Sequence, residues 1–211
     1  MKKFLLILMA LCLIIPVANA QSKKLQKARE KECKAKIKEF TKEGWKVFGT
    51  TRSLEVALLT HYDKLNGMGD DGYEIVGLAS KFKSKNVGHQ QAFNTACVDY
   101  AGKANSAVKG RITSDVFGDG TDGEGEFDRF YGAYERLVQK EIKGELKESF
   151  SIIHDLGGGY FEMQTFFIVN EKEASKARLR AMEQAVRETE MAQKYARKVS
   201  EFVQEGFKDA E

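Results

Sequence analysis

The sequence is poor in proline, cysteine, histidine and tryptophan. Its 211 residues include one proline, three cysteines, three histidines and one tryptophan. The single proline, Pro16, lies in the apolar segment at the N-terminus. Because the rest of the chain has no proline-rich linker and no long glycine–serine tract, no flexible linker is predicted.

The familiar catalytic motifs are also missing. There is no Gly-x-Ser-x-Gly, no His-Glu-x-x-His and no Cys-x-x-Cys. His154 precedes Asp155, but adjacent strand residues point to opposite faces, so the two are not expected to act as a base and its orienter. His61 is expected to be a surface or packing residue. The sequence predicts no catalytic residue, no metal site, no cofactor and a non-enzymatic protein, with a hydrolase using His154 or Asp155 as the competing hypothesis.

Excess charge of one sign is absent as well. The net charge is +3 and falls to +1 without Lys2 and Lys3, so a nucleic-acid partner is not predicted. Residues 22–43 are the exception, because they read as a helix with nine Lys or Arg against four Glu, a net of +5. Two interpretations stay open for this helix: docking on anionic lipid headgroups or wall material, or a solvated face.

The first twenty residues have the pattern of a cleavable signal peptide. Lys2 and Lys3 precede an apolar run, Phe4 to Val17, and Ala18-Asn19-Ala20 matches the site cut by signal peptidase. The run is shorter than the ~20 residues needed to cross a bilayer, so no transmembrane segment is expected after cleavage. We expect export to the periplasm or the cell envelope. Cys33 and Cys97 would then meet an oxidising compartment, where they could form a disulfide or remain small buried residues.

The strongest structural signal is a hairpin followed by a helix. Two apolar strands, Ser149–His154 and Tyr160–Val169, flank three glycines, Gly157 to Gly159, which suit a hairpin turn. Asn170 is the candidate N-cap of one helix of some 36 residues, predicted to extend about 50 Å. That length exceeds the strands beneath it, so the far end should contact the N-terminal helices or a second copy.

The remaining elements complete an α+β fold. We predict an antiparallel sheet packed on an alanine-rich helix, with N-terminal helices and a long amphipathic C-terminal helix. The domains are a signal peptide at 1–20, a helical segment with a short strand at 21–72, and an α+β core at 73–211. The predicted elements are a strand from Trp45 to Gly49, a helix from Ser53, a strand from Tyr73 to Ser80, and helices at His89–Ile112 and Phe127–Ile142.

Residues 114–128 are glycine-rich and acidic. Hard cations prefer several oxygen ligands on a flexible loop, which makes calcium a candidate. The acids do not follow the EF-hand spacing, so a mobile, solvated loop without a specific metal site is predicted.

From Tyr73 onward the chain resembles the lipoprotein-20 family of bacterial envelope proteins. The residues that carry the resemblance are Val76-Gly-Leu-Ala79 with Ala92, Ala96, Ala101 and Ala104, and Gly159 to Val169 with Ala174 and Ala177. The resemblance implies a dodecin-like sheet curled around one helix, in an exported protein without known enzymatic activity. The chain departs from that family in lacking a lipidation cysteine and in carrying the acidic loop.

The first functional hypothesis is therefore an interaction or assembly surface, for a homo-oligomer or for another envelope protein. A second is binding of a small ligand, flavin-like or lipid, which the likeness to flavin-storing dodecins suggests. Trp45, Tyr160 and Phe166 are its predicted ligand-binding residues.

Overall fold

A computed structural model describes residues 27–28, 30–114, 127–188 and 190–206. The chain forms two compact units that divide between Trp45 and Lys46, whereas the sequence suggested a boundary after residue 72. The predicted signal peptide and the acidic residues 115–126 lie outside the described residues.

The described part of the first unit contains one helix, α1, over residues 30–43, which ends at Gly44 as predicted. The Trp45 amide donates to the Phe40 carbonyl at 2.9 Å, and the two rings meet edge to face with centroids 6.2 Å apart. Cys33 and Phe40 are its buried residues. Residues 30–43 hold five lysines and four glutamates, so most of the predicted +5 charge belongs to residues 22–29.

A four-stranded antiparallel sheet forms the centre of the second unit. Its strands are β1 (Lys46–Phe48), β2 (Gly72–Phe82), β3 (Lys147–Gly157) and β4 (Tyr160–Asn170), in the order β1-β3-β4-β2. The hairpin between β3 and β4 is the predicted one, and Gly157, Gly158 and Gly159 all have positive φ. The predicted α+β class with an antiparallel sheet is confirmed.

Six helices complete the described part of this unit: α2 (Leu54–Met68), α3 (Lys85–Ile112), α4 (Asp128–Glu141), α5 (Glu171–Val186), α6 (Glu190–Lys194) and α7 (Ala196–Glu205). Short 3-10 turns occupy Gly69–Asp71 and Ile142–Gly144. Side-chain caps start two of the helices. Ser53 Oγ accepts from the Val56 amide, and Asn170 Oδ1 accepts from the amides of Lys172 and Glu173.

The alanine-rich helix α3 lies against one face of the sheet, as predicted. Ala92 and Ala96 are fully buried, and Ala101 and Ala104 are 1% exposed. A Cβ on Gly77 of β2 would stand only 1.9 Å from the Ala92 carbonyl oxygen. Strand and helix are therefore in backbone contact, which only small residues allow.

The single long C-terminal helix was a wrong prediction. Helix α5 ends at Val186, and α7 packs back against α5 and α3. Val199 and Val203 are almost fully buried there, and Phe202 is 8% exposed. A straight helix would leave these three side chains in water, and their burial, at about 1.5–3 kcal/mol each, outweighs the hydrogen bonds lost at the break. The far end thus contacts α3 and α5 of its own unit; Phe207 lies outside the described residues.

Within the described ranges, no helix combines the length and the apolarity that crossing a bilayer requires.

Candidate functional site

A cleft of about 540 Å³ lies at the edge of the sheet, where β1 stops short of β3. Strand β1 pairs only with residues 151–153 of β3. Gly49 then turns the chain away with a φ of 75°, a conformation that glycine adopts at little cost. Among the described strands, none pairs with Glu148 to Phe150 on that side, and the gap beside them is what we call the edge cleft.

Two helices, two strands and the chain after β1 line the edge cleft. The chain after β1 contributes Arg52, α2 contributes Ala57 and Thr60, and α3 contributes His89. The floor is β3, from Glu148 to Ser151, with Phe48 at the end of β1. A volume in this range and a mixed apolar and polar lining are typical of small-molecule sites.

One carboxylate organises the polar groups of the edge cleft. Glu148 Oε1 accepts from Ser151 Oγ at 2.7 Å, and Glu148 Oε2 lies 2.9 Å from His89 Nε2. Ser151 Oγ is also 3.0 Å from Thr165 Oγ1, and both of these residues are buried. The Glu148 carboxylate is therefore held from two sides, on a side chain that is itself 39% exposed.

This arrangement contains a serine, a histidine and a carboxylate, but not in the order that activates a nucleophile. Nucleophilic catalysis needs the hydroxyl within hydrogen-bond reach of the base. Here Ser151 and His89 both contact Glu148, so the carboxylate stands between them. In this geometry the His89 imidazole contacts Glu148, and the Ser151 hydroxyl contacts Glu148 and Thr165.

Arg52 adds a cationic group at the rim. Its side chain is exposed, and in the described part of the chain its guanidinium makes no ion pair. A guanidinium fork matches carboxylate and phosphate groups bidentately. Arg52 is thus placed to receive an anionic group of a molecule seated in the edge cleft.

A second cavity of about 340 Å³ shares Glu148 and Ser149 with the edge cleft. Its other walls come from the end of α2, through Lys64 and Met68, and from Ile168 of β4. The start of β3 therefore borders two adjoining spaces.

All three histidines pair with glutamates. His61 Nε2 lies 2.6 Å from Glu74 Oε2, and His154 Nδ1 lies 2.8 Å from Glu162 Oε1. His61 is fully buried against the rings of Phe150 and Phe166, so of the two predicted roles it has the packing one. The pairs join residues 8 to 59 positions apart, which is why sequence spacing did not reveal them.

Within the second unit, the structure does not bring the predicted ligand-binding residues Tyr160 and Phe166 together. Tyr160 and Phe166 are six positions apart on β4, about 20 Å at the usual rise per residue. Phe166 is 2% exposed and stacks on Phe150 at 4.4 Å, so it belongs to the core. Trp45 is buried in the first unit, where its Nε1 donates to Glu43 at 3.0 Å. Neither cavity described above is lined by any of the three.

His154 and Asp155 are likewise separate. His154 contacts Glu162 across the hairpin, and Asp155 Oδ1 accepts from the Gly157 amide at 2.8 Å, which closes the turn. They behave as adjacent strand residues should, with side chains on opposite faces.

A buried arginine is the largest feature that sequence reasoning missed. Arg178 of α5 is 1% exposed; its guanidinium donates to the Tyr100 hydroxyl and pairs with Glu171. Burial lowers the pKa of Arg178, but the hydrogen bond to Glu171 and the negative charge of its carboxylate outweigh it, so the pKa lies above its usual value. Burial raises the pKa of the nearby Tyr73 and Tyr100 hydroxyls.

Thiol and metal chemistry find little support among the described residues. Burial raises the pKa of Cys97 to about 11, partly offset by Lys143, so the thiol stays protonated near neutral pH. Cys97 is a free cysteine, fully buried among small residues, as one of the two interpretations expected. No group of three His, Cys, Asp or Glu side chains in the described ranges could hold a metal ion.

Comparison with known proteins gave no match: no family model, no curated protein and no solved structure is significantly similar to the chain. The likeness to the lipoprotein-20 family therefore remains a resemblance carried by the quoted residues.

Proposed function

We propose that the protein is an exported, non-enzymatic binding protein of the cell envelope, and that the edge cleft holds a small ligand with an anionic group. The observation that carries the proposal is the geometry around Glu148. His89 and Ser151 both contact the Glu148 carboxylate, whereas the exposed guanidinium of Arg52 at the rim can pair with a ligand.

The lining suits a ligand of mixed character. Phe48, Ala57 and Phe150 offer apolar surface, and Thr60 offers a hydroxyl. An anionic group placed next to the Glu148 carboxylate would be repelled. The ligand therefore needs a hydrogen-bond donor that faces Glu148, close to the anionic group that pairs with Arg52. A phosphorylated or carboxylated amphiphile with a donor group, such as a flavin mononucleotide, meets these requirements.

Export rests on the sequence alone. The signal-peptide pattern of residues 1–20 supports it, and those residues lie outside the described part of the chain. Cell fractionation of the tagged full chain tests it: we expect the shortened mature form in the periplasmic or envelope fraction. A full-length form in the cytosolic fraction would contradict export.

The binding experiment uses two flavins that differ by one phosphate. Flavin mononucleotide should raise the melting temperature of the mature protein more than riboflavin does. Arg52→Gln should abolish that difference, whereas Arg129→Gln, which removes another exposed arginine, should preserve it. Equal effects of both flavins on the unsubstituted chain would remove flavin mononucleotide as a model ligand, and the same comparison with an alkyl phosphate and its alcohol would then decide the proposal.

The competing hydrolase is tested separately. Assays with ester, peptide and glycan substrates should show no turnover. Turnover that is lost in Ser151→Ala, His89→Ala or His154→Ala would overturn the non-enzymatic assignment.

Self-association is a second candidate function, favoured by the outer face of α2. Val56 and Leu59, three residues apart on that helix, are 49% and 50% exposed. Because burial of two such side chains between copies would be favourable, light scattering should report a dimer that Val56→Glu with Leu59→Glu disperses. A monomeric mass for the unsubstituted chain would exclude this candidate.

A further inference from the structure

Three lysines gather on two aromatic rings at the hairpin end of the sheet. Lys81 Nζ and Lys83 Nζ lie 5.7 Å and 5.0 Å from the centroid of the Tyr160 ring. Lys85 Nζ lies 4.8 Å from the centroid of the Phe161 ring. We call Lys81, Lys83, Lys85, Tyr160 and Phe161 the hairpin patch.

The backbone of β2 is irregular at the hairpin patch. The pairing of β2 with β4 shifts register between Ala79 and Phe82, so β2 bulges there. Lys81, with a φ of 52°, is the only non-glycine residue of positive φ in the described part of the chain. An L-residue rarely adopts this conformation because its Cβ is crowded there, and such strained residues cluster at functional sites.

The three lysines of the patch make no ion pair among the described residues. All three are exposed. The nearest acids in the strand register are already engaged, since Asp155 accepts from the Gly157 amide and Glu162 contacts His154. The first turn of α3, which begins at Lys85, contains no acid.

Apolar surface lies beside the charge. Leu156, the residue before the glycine turn, is 46% exposed, and Tyr160 is only half-buried. Lysines around an aromatic and aliphatic tip are the combination that sits at a membrane interface: the ammonium groups meet lipid phosphates, and the rings and the leucine enter the headgroup layer.

We propose that the hairpin patch docks the protein on an anionic lipid surface. This inference does not depend on the edge cleft, and it assigns lipid contact to the folded unit independently of the basic segment at residues 22–43. Each lysine near an anionic bilayer strengthens binding about five-fold, so three together account for roughly a hundred-fold.

Sedimentation with vesicles tests the proposal on the mature chain. Vesicles of phosphatidylcholine with phosphatidylglycerol should bind the protein, and phosphatidylcholine alone should not. Neutralising the patch with Lys81→Gln, Lys83→Gln and Lys85→Gln should weaken partition roughly a hundred-fold, and Lys83→Gln alone about five-fold.

The matched control neutralises three other exposed lysines, Lys103, Lys140 and Lys143. Lys103 lies 18 residues beyond Lys85 on α3, about 27 Å along the helix. Much weaker loss in the control supports the patch. Equal losses in both triple variants, or full binding by the patch variant, would overturn it in favour of general charge or of residues 22–43.

A tryptophan at the tip reports insertion directly. In Leu156→Trp the added emission should shift to the blue with anionic vesicles and be quenched by lipids labelled in the headgroup layer. An unshifted emission in vesicle-bound protein would overturn the docking of this tip. Tight binding to single-stranded DNA without binding to vesicles would instead assign the patch to nucleic acid.

Discussion

Arg178 and Glu171 lie seven positions apart along α5 and form an ion pair between a buried guanidinium and a carboxylate that is 25% exposed. Their second contact, from Arg178 Nη1 to Glu171 Oε2, measures 3.3 Å. Gly206, just after α7, packs so closely on the pair that a Cβ there would stand 2.6 Å from Glu171 Oε1. The pair therefore joins the start of α5, the middle of α3 through Tyr100, and the end of α7.

Glu171→Gln should destabilise the fold by about 2–3 kcal/mol. The substitution leaves a buried guanidinium without its counter-charge, and breaking such pairs typically costs ~3–5 kcal/mol, reduced here because Glu171 is partly hydrated. Glu173→Gln, which removes an exposed pair with Lys176, should cost less than about 1 kcal/mol. Urea unfolding of both variants measures the difference; equal costs would contradict the structural role of the buried pair.

The fold should lose stability above about pH 10. Burial raises the pKa of Tyr73, Tyr100 and Tyr134 above the model-peptide value of 10.0. A raised pKa in the folded state means that the stabilisation is fully present below the unfolded pKa and is lost as pH rises beyond it. Each such tyrosine contributes a slope of about −1.4 kcal/mol per pH unit in that range.

Tyr134→Phe isolates one of these groups. The Tyr134 hydroxyl is buried and has no hydrogen-bond partner within the described ranges, so its removal should be neutral or stabilising at pH 7. The same substitution should make the alkaline loss shallower. Denaturation at a series of pH values checks both points, and an unchanged alkaline slope would mean that Tyr134 ionises freely in the fold.

Gly77→Ala should be severely destabilising, by about 3 kcal/mol or more, because its Cβ would overlap the Ala92 carbonyl oxygen. Gly102→Ala is the matched control on the same helix–sheet pair. Its Cβ would meet nothing within 4 Å, and alanine is favoured over glycine inside a helix by up to ~1 kcal/mol. Opposite signs in thermal melts are expected; a harmless Gly77→Ala would contradict the close packing of α3 on β2.

Val199→Ala tests the packing of α7. Val199 is fully buried against the core, so the loss of two methyl groups should cost about 2 kcal/mol. Arg197→Ala, two residues earlier with a side chain 93% exposed, should change stability by less than about 0.5 kcal/mol. Similar small effects of both substitutions would mean that α7 is not packed as described.

The sequence predicted the parts of this fold that depend on local chemistry. Gly157 to Gly159 marked the hairpin, Ser53 and Asn170 marked helix starts, and the alanines of α3 marked the face against the sheet. The end of α5 at Val186 was not predicted because no glycine or proline marks it in the sequence. Val199, Phe202 and Val203 continue the helical pattern of α5, and only tertiary packing interrupts the helix.

The candidate site was predicted far less well. His89 and Glu148 are 59 positions apart, and Arg178 and Tyr100 are 78 apart, so their contacts arise from the packing of whole elements. The edge cleft exists because β1 is only three residues long, and a short apolar run in the sequence does not determine strand length well. Trp45, Tyr160 and Phe166 were predicted to bind a ligand because they are aromatic. In the structure Trp45 and Phe166 are buried and contribute to packing, and Tyr160 lies at the hairpin patch.

Amide chemical shifts of the mature protein, titrated with flavin mononucleotide, test the central claim most directly. The claim predicts saturable shifts at Gly49, Arg52, His89 and Glu148 to Ser151, with signals at the hairpin patch unmoved. Saturable shifts at the hairpin patch alone, or at the core aromatics around Phe166, would contradict binding in the edge cleft.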